Sequence, residues 1–180
     1  MDPVEAKYTR IVCERKFLVS PEANWRDVVA PYHKRLEDRY IRETRLRLRV
    51  QTDSDTGRRL IKLTKKFESD SAYRQTIGRI LLSPVEYELF AQLGADCISK
   101  TRYFHYYRGQ VFAIDVFEAE LAGLQLCEVE SEDVGEIMAA QAPPYSPIEV
   151  TGDYFFTGGN LCRVTREQLR SRLAAIYSAT

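Results

Sequence analysis

The stretch Arg10–Val19, RIVCERKFLV, alternates like a β-strand, but its second face is charged. Successive side chains in a strand point to opposite faces. Ile11, Cys13, Phe17 and Val19 therefore share one face, and Arg10, Val12, Glu14 and Lys16 share the other. The apolar face suits a core. The charged face needs a destination of its own.

The same pattern returns along the chain. In RLRLRV, Arg45, Arg47 and Arg49 oppose Leu46, Leu48 and Val50. In LIKLTKKF, Lys62, Thr64 and Lys66 oppose Ile61, Leu63 and Phe67, with Lys65 on the apolar side. Lys100 and Arg102 are two apart in SKTRYF, and Asp115 opposes Ile114 and Val116 in FAIDVF. In LCEVES, Glu128 and Glu130 oppose Cys127 and Val129. A one-sided sheet facing water carries a mixed polar face. These faces are nearly all charged and sorted, with bases on the middle strands and acids on the last two.

A sheet of about eight strands can close so that its inward residues line a cavity. Charges facing one another there need a charged ligand or a metal. Bases outnumber acids, so the expected guest is an anion carrying several charges. The carboxylates suit a hard divalent cation such as Mg²⁺ or Mn²⁺. A polyphosphate with its metal satisfies both requirements.

The whole chain, 1–180, reads as one domain with enough residues for a substantial core. Formal charge is zero, which argues for neither nucleic acid nor an anionic membrane as partner. Among the 26 bases, 19 are Arg, the residue suited to bidentate grip on phosphate. No apolar run approaches the ~20 residues of a membrane span, and the start lacks a signal-peptide core. Cys13, Cys97, Cys127 and Cys162 show no metal-site spacing and read as reduced thiols of a cytoplasmic protein. His33 and His105 are solitary and read as structural.

Between the charged strands, SPEANWRDVVAPYHKR reads as a loop and short helix with Trp25, Val28 and Val29 as apolar contacts. LEDRYIRET and AYRQTIGRILL read as strands, DSDTG as a turn, and Arg108-Gly109-Gln110 as a hairpin. Ser83-Pro-Val-Glu86 and Thr165-Arg-Glu-Gln168 are capping boxes that open helices, the first ending at Gly94. Leu169, Leu173 and Ile176 share one face of the second. EDVGEIMAAQ reads as a short helix, and Thr157-Gly-Gly159 as a turn, lacking the longer glycine pattern of a phosphate loop.

CERKFLV, LRLRV, KLTKK, SKTRYF, AIDVFEAELAGLQLCEVE and IEVTGDYFFTGGNL, in this order, resemble the motif series of CYTH-domain proteins, the triphosphate tunnel metalloenzymes. The resemblance covers nearly the whole chain. It implies an α+β fold: an eight-stranded antiparallel β-barrel forming a tunnel, with peripheral helices. Members include class IV adenylate cyclases, thiamine triphosphatases, inorganic tripolyphosphatases and fungal-type RNA triphosphatases. By position, the resemblance implies Glu14, Asp115, Glu128 and Glu130 as ligands for Mg²⁺ or Mn²⁺. It implies Lys16, Arg45, Arg47, Lys62, Lys66, Arg74, Lys100 and Arg102 as the phosphate grip, with Glu14, Lys16, Glu128 and Glu130 as the catalytic set.

Two departures stand out. The family usually opens with Glu-x-Glu-x-Lys, and Val12 stands at the first Glu. Thr76 and Gly78 stand where many members place acids. The expected activity is metal-dependent hydrolysis of inorganic tripolyphosphate or of a nucleoside or thiamine triphosphate. One alternative is a class IV-type cyclase, with Tyr40, Tyr103, Phe104, Tyr106 and Tyr107 as stacking candidates. The other, motivated by Val12, is a non-catalytic polyphosphate- or nucleotide-binding module. The expected partner is a small triphosphate compound, with neither nucleic acid nor membrane, and a homodimer is left open.

Overall fold

Strand β1 (Thr9–Leu18) is the seam of a closed barrel. In the computed structural model, which describes residues 8–178, its first half pairs with β5 (Arg74–Leu82) and its second half with β8 (Gln125–Ser131). Between them run β2 (His33–Ile41), β3 (Leu46–Asp53), β4 (Arg59–Lys66), β6 (Ala95–Tyr107) and β7 (Gln110–Phe117). The order around the barrel is β5-β4-β3-β2-β6-β7-β8-β1, every pairing is antiparallel, and the β1–β5 pairing closes the ring. A short β9 (Ile148–Glu149) adds to Phe17 and Leu18 of β1. The expected eight-stranded α+β barrel is the observed one.

Within residues 9–178, four helices pack around it: α1 (Pro84–Ala91), α2 (Val134–Ala139), α3 (Gly158–Leu161) and α4 (Arg166–Tyr177). Both capping boxes form as expected, at Ser83/Glu86 and Thr165/Gln168. Helix α1 stops at Ala91, before Gly94, which falls in the link to β6. Thr157-Gly-Gly159 opens α3 instead of forming a turn. The β6–β7 hairpin has two loop residues, Arg108 and Gly109, both at positive φ, which matches the twist of the flanking strands. Among the described residues, no helix is long and apolar enough to cross a membrane.

Two apolar clusters lie on the outside of the barrel wall and are covered from outside. Cys13, Phe17, Phe112 and Val129 pack with Trp25 and with Ile137 of α2. Of the expected contacts around the short helical turn, Trp25 and Val29 join this cluster, whereas Val28 stays 49% exposed. Leu48, Val50 and Ile61 pack under Tyr87 and Phe90 of α1. A third cluster lies inside the barrel. Leu18, Ile98, Phe117 and Leu126 have the inward parity of Lys16, Lys100, Asp115 and Glu128, and they pack with Phe156, Leu161 and Leu169 from the C-terminal segment as an apolar part of the interior. Because the outer clusters and this inner one satisfy hydrophobic burial, the rest of the interior is left to the charged faces.

Candidate functional site

The barrel encloses a cavity of about 170 Å³, room for several water molecules. Its wall includes Val12, Glu14 and Lys16 of β1, the even-numbered face of RIVCERKFLV. It also includes Arg47 and Arg49, Lys62, Thr64 and Lys66, Lys100 and Arg102, and Glu128 and Glu130. Eight basic and four acidic side chains line it. The charged faces therefore converge.

On one side the charges neutralise each other. Arg102 binds both Asp115 oxygens, at 2.6 and 2.7 Å, and reaches Glu128 at 2.6 Å. Lys100 also pairs with Asp115, which is completely enclosed. Asp38 is held by Arg49 through two hydrogen bonds, at 2.5 and 2.6 Å. Lys16 donates to Glu14 at 2.6 Å and lies 4.0 Å from Glu128. Burial alone raises a carboxyl's pKa, but the neighbouring cations override it. Lys16 holds Glu14 below the ordinary range, and Lys100 and Arg102 do the same for Glu128.

The opposite wall, built from β3, β4 and β5, is not neutralised. Among the described residues, no carboxylate pairs with Lys62, Lys66 or Arg79, and Arg47 only approaches Asp38, at 3.9 Å. Burial and then the neighbouring Arg79 and Arg49 push Lys62 down to about 8. Burial lowers Lys66 and Arg79 too, with Arg10 and Arg47 adding to the effect at Arg79. Two buried polar atoms on this wall, Nε of Arg47 and Oγ1 of Thr64, have no hydrogen-bond partner. Crowded cations beside polar atoms without hydrogen-bond partners make this wall chemically suited to an anion.

The structure brings most of the site residues expected from sequence to the cavity wall and leaves Arg45, Arg74 and Asp115 off it. Arg45 shares parity with Arg47 but precedes β3, and its guanidinium pairs with Glu68 outside the cavity lining. Arg74 is the register partner of Cys13, so it lies on the outer face of the barrel. The base that β5 supplies is Arg79, whose partner Thr64 faces inward. Asp38 of β2 and Gln75 of β5 are further wall residues beyond the expected set, and Tyr40, expected only as a stacking candidate, lies on the wall too. Asp115 is committed to Lys100 and Arg102 and is absent from the cavity surface, so it is a counter-ion to those bases.

Glu14 and Glu130 are direct partners across β1 and β8, both on the cavity wall. Among the described residues, Glu130 has no ion-pair partner, and no three His, Cys, Asp or Glu side chains form a group able to hold a metal ion. Val12 occupies the neighbouring wall position, where a carboxylate would complete such a group. Mg²⁺ commonly binds through one or two carboxylates together with substrate phosphates. The donors present fit a cation that shares its coordination with a phosphate chain, not one held by protein alone.

No family model matches the chain, and neither does any curated protein sequence. Solved structures do match. The chain is 25% identical to the inorganic triphosphatase NE1496, with a TM-score of 0.54 over 85% of this chain and 95% of that one. The PH1819 protein from Pyrococcus horikoshii is 20% identical, with a TM-score of 0.51 over 71% of this chain and 82% of that one. A Bacillus halodurans protein provisionally assigned as an adenylate cyclase is 17% identical, with a TM-score of 0.54 over 83% of this chain and all of that one. The last two likenesses concern the fold alone.

Proposed function

We propose that this protein, of CYTH type by its fold and its ordered motifs, binds a linear triphosphate against the β3–β4–β5 wall and hydrolyses it with a divalent cation. The observation that carries this reading is the row of Lys62, Lys66 and Arg79, with no carboxylate partner among the described residues, beside Arg47, which only approaches Asp38, inside a closed barrel. Inorganic tripolyphosphate is the favoured substrate, because the 25%-identical NE1496 is named an inorganic triphosphatase.

The chain's own contribution is positioning and charge. Arg47, Lys62, Lys66 and Arg79 hold the phosphate chain extended. Lys16 and Arg102, facing them with their carboxylate partners, keep Glu14 and Glu128 ionised. Glu14 and Glu130 would hold the Mg²⁺ or Mn²⁺, which supplies Lewis-acid polarisation of the phosphoryl oxygens. Hydrolysis then needs in-line attack by water on the terminal phosphorus, and phosphoryl transfer is accelerated chiefly by such positioning and electrostatics.

A cyclase needs a free stacking surface for a base. Tyr103 packs on Trp25 and His33, Phe104 on Tyr32, and Tyr107 on His105 and Phe112. Of the expected stacking candidates, Tyr40 is the one on the cavity wall. Phosphate release from tripolyphosphate with Mg²⁺ or Mn²⁺ tests the proposal. Release that persists under chelation and in Glu130→Gln rejects it. Tight binding without turnover at any metal concentration establishes the binding-module alternative instead.

A further inference from the structure

Thr64 stands at the centre of the unpaired wall. Its register partners are Arg47 on β3 and Arg79 on β5, and Lys62 and Lys66 flank it on the same face of β4. The residue is 1% exposed, yet its hydroxyl has no hydrogen-bond partner. Nε of Arg47, across the strand pair, is unsatisfied in the same way.

A buried hydroxyl without a partner is destabilising, and valine has nearly the same shape without that cost. A hydroxyl can donate or accept, but four cations surround this one. Cations offer it donors that are already drawn toward negative charge, so what the site lacks is an acceptor. The group that suits this position is an anionic oxygen.

We propose that Thr64 is a ligand-binding residue: its hydroxyl donates to an oxygen of the middle phosphoryl group of a bound triphosphate, and Arg47 Nε donates to the same group. Lys62 and Lys66, one step away on either side along β4, then take the flanking phosphoryl groups. The pair sets the register of the chain along the tunnel, a task that point charges on flexible lysine stems perform poorly. This inference rests on the reading of the tunnel as a triphosphate site.

The test is calorimetric titration of the full chain with inorganic tripolyphosphate in metal-free buffer, alongside thermal melts without ligand. Thr64→Val weakens binding at least about tenfold, the loss expected for a hydrogen bond to a charged acceptor. Its ligand-free melting temperature stays level or rises, because the unsatisfied hydroxyl is gone. Thr64→Ser, which keeps the hydroxyl, binds within about threefold of wild type. Wild-type binding with Thr64→Val unchanged overturns the role of Thr64 and leaves the triphosphate reading standing. Equal losses in Val and Ser, with lowered melting temperatures, overturn it as well. A wild-type chain that does not bind tripolyphosphate overturns both.

Discussion

Arg102 grips Asp115 through both carboxylate oxygens and holds Glu128 with the same guanidinium. Asp115 has no exposed surface, so its charge depends wholly on Arg102 and Lys100. Removing one member of a buried ion pair strands the other's charge and costs about 3–5 kcal/mol. Arg102→Gln is therefore expected to lose that order of stability in denaturant titrations. Asp115→Asn shifts stability in the same direction. An Arg102→Gln variant as stable as wild type would show that the network is not a structural keystone.

Lys62 is expected to set the pH dependence of anion binding. Burial and its cationic neighbours hold it near 8, against an ordinary value of 10.5. Between these two values the unfolded chain binds more protons than the folded one, so the Lys62 contribution to stability rises with pH across that window. Affinity for an anion runs the other way, since it needs the protonated amine. Tripolyphosphate binding should weaken as pH rises through about 8. Lys62→Arg keeps its charge and flattens that part of the profile. Calorimetry of both proteins from about pH 7 to about pH 10 checks this, and the difference between them cancels the titration of the ligand itself.

Much of the charged wall can be read from alternation alone, because β1, β3, β4 and β8 each concentrate charge on one parity, whereas the closed barrel is what the family resemblance implies. β5 defeats that reading. Its inward face, Gln75, Ile77 and Arg79, mixes polar and apolar residues, whereas the more conspicuous Arg74 lies on the other parity. Only the register of Val12 with Gln75 decides which parity faces in, and register is a property of the assembled sheet. Asp38 is hidden for a related reason. Glu37 and Asp38 are adjacent in LEDRY, and it is pairing with Arg49 that turns Asp38 inward. The isolation of Thr64 needs three strands at once, beyond the reach of any pattern along one segment.

Gly158 is expected to tolerate no side chain. A Cβ there would lie 1.9 Å from the Tyr40 hydroxyl, on the cavity wall beside Phe156 and Leu161. Overpacking of this kind typically costs about 1–3 kcal/mol. Gly158→Ala must displace the Tyr40 ring, and Tyr40 and Arg47 are register neighbours of β2 and β3. The variant should therefore lose both stability and tripolyphosphate affinity, read by melting and by calorimetry. Loss of stability alone would mean that the Tyr40 position does not influence the basic wall.

Val12→Glu is the change that most directly probes the metal. Val12 is 8% exposed, lines the cavity and shares its face of β1 with Glu14. A glutamate there adds a carboxylate beside the Glu14–Glu130 pair, giving the three-carboxylate group that the described residues lack. Without metal, three carboxylates repel and the added one is poorly solvated, so the metal-free variant should melt below wild type. With metal that penalty reverses. One added charge near a divalent cation strengthens attraction by well over 1.4 kcal/mol at protein-like dielectric, so Mn²⁺ should bind the ligand-free variant at least about tenfold more tightly. Titration followed by the paramagnetic resonance of free Mn²⁺ reads this without any turnover. Equal Mn²⁺ affinity in the two proteins would mean that Glu14 and Glu130 do not form the metal-facing wall.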